Sequence, residues 1–199
     1  LLECIDQAVG VLSAASLEQY FKEEISWLRA KQEIWMSNRM RVALIGVTST
    51  GKSTLVNSIL GGEILPRGVR PTSNTLVTCK HGDELSAHVY YNDGRKEEFG
   101  SKEICGRLRD LADEIHNPGN EKGVREIEVL SPGFVFGDSV ELVDTPGLDA
   151  YGLEWHEELT LQTLLPLVDA VIYITDAKSS SDGMIAVHLS QIQQNTKQT

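Results

Sequence analysis

Apolar residues recur at helical spacing through residues 1–35: Ile5, Val9 and Leu12 form one stripe, and Leu17, Phe21, Ile25 and Leu28 form another. Ser16 with Gln19 three residues later reads as a capping box that opens the second helix. Residues 41–45, Arg-Val-Ala-Leu-Ile, form a short apolar run ending at Gly46, as expected of a strand buried on both faces. A helix is predicted over residues 52–60, stopped by Gly61-Gly62, and residues 66–71 read as a loop between two prolines. Strands follow at 75–80 and 87–91, with Asn92-Asp93-Gly94 as a hairpin turn. A polar helix over 102–116 ends at the Asn117-Pro118-Gly119-Asn120 break. Strands at 124–130, 139–143 and 170–175, and helices at 153–168 and 183–194, complete the pattern, with Ser181-Asp182 as the cap of the last helix.

This alternation predicts a three-layer α/β fold. The stretch 75–130 is richer in hairpin and polar helix than a minimal nucleotide-binding core requires. The helices of residues 1–38 precede the first strand, so they form an amphipathic appendage to the main domain at 39–199.

Composition narrows the function classes. The chain has 199 residues, 41% of them hydrophobic, enough for one good core. A formal net charge of −11 leaves no basic surface to replace phosphate counterions, which argues against a nucleic-acid partner. No run approaches the roughly 18 apolar residues of a membrane span. Cys4, Cys79 and Cys105 are odd in number and far apart, the expectation being buried thiols in a reducing compartment. His81, His88, His116, His156 and His188 show no metal-ligand spacing.

The decisive segment is Gly46-Val47-Thr48-Ser49-Thr50-Gly51-Lys52-Ser53, which fits G-x-x-x-x-G-K-[ST] between a predicted strand and a predicted helix. Glycines let the backbone wrap close to phosphates with its amides turned inward, and the helix that follows presents its positive end. Lys52 reaches the β- and γ-phosphates in such a loop, the Ser53 hydroxyl ligates Mg2+, and Thr54 completes the contact set. Asp144-Thr145-Pro146-Gly147 closes a later strand. Asp144 there suits a water-mediated hold on Mg2+, and the Gly147 amide a contact with the γ-phosphate. Between the two motifs, Pro71-Thr72-Ser73-Asn74-Thr75 supplies a hydroxyl-rich loop where a switch that completes the metal shell is expected.

These three segments resemble the dynamin superfamily of GTPases, and within it bacterial dynamin-like proteins and mitofusins. The resemblance rests on Gly46 to Leu60, on Ile64-Leu65-Pro66-Arg67-Gly68 and on Pro71-Thr72-Ser73-Asn74, and extends loosely over residues 40–177. It implies a P-loop GTPase sandwich that binds GTP and GDP, Mg2+ and a monovalent cation (K+ or Na+). It also implies pairing of two copies through the G domain, and a cytoplasmic protein peripheral to a membrane it remodels or tethers. Lys52, Ser49, Thr72 and Ser73 are the implied catalytic set. Thr72 and Ser73 stand where the family has two threonines, so either hydroxyl is a candidate metal ligand, and related GTPases point to Ser73. Pro71 replaces the mitofusin histidine, Thr48 replaces the dynamin glutamine, and Leu148 stands where Ras-like enzymes carry the water-positioning glutamine. The N-terminal helices resemble a stalk or neck element, though an ordinary packed appendage fits the same residues.

An [NT]-K-x-D guanine-reading motif is expected after the last predicted helix, and Lys197-Gln198-Thr199 does not supply it, so the motif and any membrane-inserting region are expected beyond residue 199. A soluble Era-like regulatory GTPase is the second reading, set back by the N-terminal helices and the long 75–130 stretch. An ATP-using P-loop protein and an inactive nucleotide-binding scaffold are weaker, the first against Asp144-Thr-Pro-Gly147, the second against intact Lys52, Ser53 and Asp144.

Overall fold

The structure is a computed structural model that describes residues 2–14, 17, 19–66, 75–148, 160, 164–176 and 183–196. It divides into two compact units, Leu1–Arg39 and Met40–Thr199. In the first, α1 (Leu2–Ala14) and α2 (Lys22–Met36) bury Ile5 and Ile25, and Gln32 Nε2 donates to Asp6 Oδ1 at 2.8 Å. The second helix begins at Lys22, later than the capping-box expectation. Gln19 and Tyr20 lie in a turn closed by the Tyr20 amide on the Leu17 carbonyl at 2.9 Å, and Ser16 falls outside the described residues.

The second unit is built on seven strands: β1 (Met40–Gly46), β2 (Leu76–His81), β3 (Ser86–Tyr91), β4 (Lys96–Gly100), β5 (Val124–Ser131), β6 (Val140–Asp144) and β7 (Ala170–Ile174). Their spatial order is β4-β3-β5-β2-β6-β1-β7. β1 runs parallel to β6 and β7, whereas β2 is antiparallel to β6 and parallel to β5. The hairpin β3–β4 extends the sheet antiparallel to β5. Helices α3 (Lys52–Leu60), α4 (Ile104–Ala112) and α5 (Gly183–Thr196) complete the described elements, with short 3-10 turns between strands.

Alternation along the strands sorts side chains to two faces. On one, Val42, Leu44, Leu142, Val77, Cys79, Val129, Ile127 and Val89 pack with Val56 and Leu60 of α3 and Leu108 of α4. On the other, Ala43, Ile45, Leu76 and Val143 pack with Leu148, Leu164, Leu165 and Ile192 of α5. The second cluster does not reach β3–β5, where that face carries a polar ladder instead. Thr78 donates to Glu126, Tyr90 and Lys80 converge on Glu128, and Arg41 spans to Glu126 at 3.1 Å.

Three expectations change. β4 was not anticipated; it supplies the return arm of the Asn92-Asp93-Gly94 hairpin, with Glu97 turned toward Arg107 of α4 at 2.8 Å. The helix expected over 102–116 is only Ile104–Ala112, because Asp113 turns extended and its carboxylate accepts the Ile115 amide at 2.8 Å, a local bond that competes with the helix. Of the cysteines only Cys79 is buried; Cys4 and Cys105 are exposed. Most of the helix expected over 153–168 lies outside the described residues, and its end is a 3-10 turn at Leu165–Leu167.

Candidate functional site

Gly46 ends β1 where its Cβ-less backbone lies against β7. A side chain there would sit 2.1 Å from the Ile174 carbonyl oxygen, so only glycine lets the chain leave the sheet at this point. The loop that follows curls through Ser49, at φ 62, and Gly51, at φ 93, both in the left-handed region, and enters α3. Ser49 is an exposed non-glycine residue in that region, a conformation uncommon outside functional turns. Thr50 Oγ1 donates to the Val47 carbonyl at 2.8 Å. The Lys52 ammonium is drawn back under the loop, donating to the carbonyls of Gly46 at 3.0 Å and Val47 at 2.8 Å, with 7% of the residue exposed.

Asp144 arrives from the neighbouring strand, level with Leu44 of β1 and Val77 of β2. The Ser53 hydroxyl donates to its Oδ2 at 2.7 Å, although the residues are 91 apart in sequence. Burial pushes the Asp144 carboxyl up to about 6, against the opposing pulls of the Ser53 hydroxyl and the Lys52 charge. Its other oxygen, Oδ1, is buried with no hydrogen-bond partner among the described residues. Thr145 anchors the next turn by donating to the Leu44 carbonyl at 2.7 Å. Gly147 then lies flat on the phosphate loop, where a Cβ would stand 2.3 Å from Thr48 Oγ1 and 2.8 Å from the Thr48 amide nitrogen. Leu148 donates its amide to the Gly46 carbonyl at 3.3 Å and turns its side chain into the apolar cluster with Ile45 and Leu164.

Residues 46–54 and 144–147 thus meet at one end of β1 and β6. Pro71, Thr72, Ser73 and Asn74 lie outside the described residues, as does His156. A hard divalent cation suits the donors present: a hydroxyl oxygen from Ser53 and a buried carboxylate with an orphaned oxygen, all oxygen ligands. Among the described residues no cluster of three or more His, Cys, Asp or Glu offers a different metal centre.

A family model described as the dynamin family matches residues 42–198, the stretch that contains every element of this site. The chain belongs to the dynamin family. Dynamin-like protein 2 of Campylobacter jejuni is 28% identical over 167 residues, covering 81% of this chain and 25% of that protein. Human mitofusin-2 is also 28% identical, over 168 residues, covering 82% of this chain and 21% of that protein. A solved structure described as an oligomerised bacterial dynamin pair, for the long range sensing and tethering of membranes, matches with a TM-score of 0.52 at 25% identity. That match covers 87% of this chain and 26% of the solved one. The chain therefore spans about a quarter of the length of these dynamin relatives. Its sheet and helices are those of a dynamin-type P-loop G domain.

One residue of this dynamin-family site escaped sequence reasoning. Asn57 is 1% exposed between Val56 and Leu60 on α3, and its carboxamide makes three hydrogen bonds to the segment after the helix. A polar residue at a core-facing helical position, one turn after Ser53, was the available signal.

Proposed function

We propose that this chain binds and hydrolyses GTP as the G-domain part of a dynamin-like mechanochemical protein that remodels or tethers membranes and works through nucleotide-dependent pairing of G domains. The observation that carries the nucleotide half is the meeting of the two motifs, with Ser53 Oγ 2.7 Å from Asp144 and Gly147 laid against Thr48. The membrane half draws on the relatives, one of them described as a pair that senses and tethers membranes. No helix among the described residues is long and apolar enough to cross a membrane. Residues 1–38 serve as a neck-like segment and residues 39–199 as the G domain.

In this reading the backbone amides of residues 47–54 cradle the phosphates at the head of α3, where the helix end favours negative charge. Lys52 exchanges the Gly46 and Val47 carbonyls for phosphate oxygens and compensates their charge. Ser53 and Asp144 would hold Mg2+, and Thr72 or Ser73 would offer it a further oxygen donor. The ion, when bound, neutralises charge that develops on the phosphate oxygens. Gly147 places its amide beside the phosphate loop, and Leu148, committed to the core, contributes nothing to orienting water. Charge stabilisation beyond Lys52 is then supplied by the paired G domain, with Ser49, exposed on the loop, at the interface and at a monovalent cation.

The test is titration calorimetry on the complete protein with the Mg2+ complexes of GDP, a slowly hydrolysed GTP analogue and an ATP analogue. Guanine nucleotides bind the wild type, and Lys52→Ala removes detectable binding. Unchanged affinity in Lys52→Ala would sink the site assignment, and preference for the adenine analogue would sink the GTPase reading.

A further inference from the structure

β6 leaves the sheet at the point where the two motifs meet. Its register with β1 runs as far as Asp144, opposite Leu44, and Asp144 is level there with Val77 of β2. β1 continues beside β7 for two more residues, Ile45 opposite Tyr173 and Gly46 opposite Ile174. The ladder therefore ends at the residue that carries the buried carboxylate, and the direction in which the chain departs sets where that carboxylate stands. Two hydrogen bonds tie the departing residues 145–148 back to β1. Thr145, 1% exposed, donates its hydroxyl to the Leu44 carbonyl at 2.7 Å, with the Pro146 carbonyl also 3.2 Å from the same oxygen. The Leu148 amide donates to the Gly46 carbonyl at 3.3 Å. The Thr145 bond is the shorter of the two and lies immediately beside Asp144. Thr145 faces Asp144 a second time through its amide, which favours the charged form of the carboxylate.

We infer that Thr145 is a positioning residue for the cation site: by fixing the first residue past β6 to β1, its hydroxyl holds the Asp144 carboxylate beside Ser53. The inference rests on the nucleotide-binding reading above and deepens it. A carboxylate offered to a divalent cation has to stand at a set distance from the second oxygen donor, here the Ser53 hydroxyl 2.7 Å from Asp144 Oδ2. Asp144 Oδ1 is buried without a hydrogen-bond partner among the described residues, so that oxygen does not hold the carboxylate in place. The hold comes from the backbone on either side, the β6 ladder before Asp144 and the Thr145 bond after it. A ligand oriented by a hydrogen bond from a neighbouring group loses affinity for its ion when that bond is removed. The phosphate loop does not draw on this bond. Lys52 donates to the Gly46 and Val47 carbonyls and Thr50 to the Val47 carbonyl, none of which involves Thr145. Removing the hydroxyl weakens the hold on a cation and leaves the hold on phosphate.

The experiment uses the complete protein with Thr145→Val, which keeps the side-chain shape and loses the hydroxyl, and with Thr145→Ser, which keeps the hydroxyl and loses the methyl group. GDP is the probe, because the contact assigned to the Gly147 amide is with a γ-phosphate and GDP has none. Calorimetry gives the GDP affinity in Mg2+ and in EDTA, and hydrogen exchange follows the Leu148 amide. In Thr145→Val, affinity in EDTA stays within about twofold of the wild type, affinity in Mg2+ falls at least about fivefold, and Leu148 exchanges faster. Thr145→Ser restores the affinity in Mg2+ to within about twofold. A loss of stability alone does not produce this pattern, since it lowers both affinities together. Equal loss with and without Mg2+, an undiminished gain from Mg2+ in Thr145→Val, or a Thr145→Ser variant as impaired as Thr145→Val would overturn the inference while leaving the phosphate site standing. Should Thr145→Val fail to fold, Thr145→Ala removes the same hydroxyl and is read by the same criteria. A wild-type protein that bound GDP no better in Mg2+ than in EDTA would overturn the parent reading of the metal site, before any variant was made.

Discussion

Asp144 is the point at which stability and ligand binding pull in opposite directions. Its carboxylate is wholly buried, shares one hydrogen bond with Ser53 and leaves Oδ1 without a partner among the described residues. Without a cation, that charge is a burden on the fold. Burial raises the carboxyl from its ordinary 3.8 to about 6 in the folded protein. The folded state therefore holds a proton that the unfolded chain releases between those values, so stability declines as pH rises through that window. At 1.36 kcal/mol per pH unit, the burden at pH 7 is about 3 kcal/mol. Asp144→Asn keeps an acceptor for Ser53 and removes the charge. In EDTA and without nucleotide, the variant is expected to be more stable than the wild type by about 1 to 3 kcal/mol at pH 7.5, with the difference vanishing near pH 4, where Asp144 is itself neutral. With Mg2+ and nucleotide present the order reverses, because the wild type gains binding energy that the variant lacks. Native-state hydrogen exchange of β1 and β6 amides, compared at equal pH, reads the local stability directly. A variant less stable than the wild type at pH 7.5 in EDTA, or a difference independent of pH, would refute the reasoning.

Two further substitutions probe the loop. Gly46→Ala drives a methyl group against the Ile174 carbonyl, 2.1 Å away, so β1 and β7 must separate at that end; a loss of about 3 kcal/mol or more is expected, read as faster exchange of β7 amides, and an unchanged profile would contradict the packing. Turnover per molecule is expected to rise with protein concentration, and Ser49→Ala to abolish the rise while keeping nucleotide affinity within about threefold. A flat profile in the wild type would favour the soluble regulatory switch.

The phosphate loop was legible because its chemistry dictates residue types: glycine where Ile174 and Thr48 crowd the backbone, lysine and serine at the head of a helix. The helix itself was legible from its apolar period and its Gly61 stop. Strand order was not. β2 lies between β5 and β6, antiparallel to one and parallel to the other, and nothing local to residues 76–81 encodes partners that are distant in sequence. β4 was hidden by composition. Lys96-Glu97-Glu98 is poor in strand-forming residues, and the inward Glu97 is accommodated by Arg107 of α4 at 2.8 Å, with Arg95 at 3.9 Å. The early end of α4 turns on local bonds around Asp113 and Asn117, below the resolution of a periodicity argument. The alternation that identified the strands also left the β3–β5 face polar, and the ion pairs that satisfy it depend on the same pairings.

The site's shape is set by packing and hydrogen bonds within the protein. Gly46 is pressed to Ile174 and Gly147 to Thr48, while Lys52 holds two loop carbonyls from within. Such a loop binds with little reorganisation, since each donor exchanges one partner for another. On the proposed function, Lys52 leaves carbonyls for phosphate, and Ser53 leaves a carboxylate oxygen. Partner exchange alone yields little net energy, because the hydrogen bonds lost resemble those gained. The gain must come from charge: the ammonium and the helix end against phosphate, and the buried carboxylate relieved by a cation.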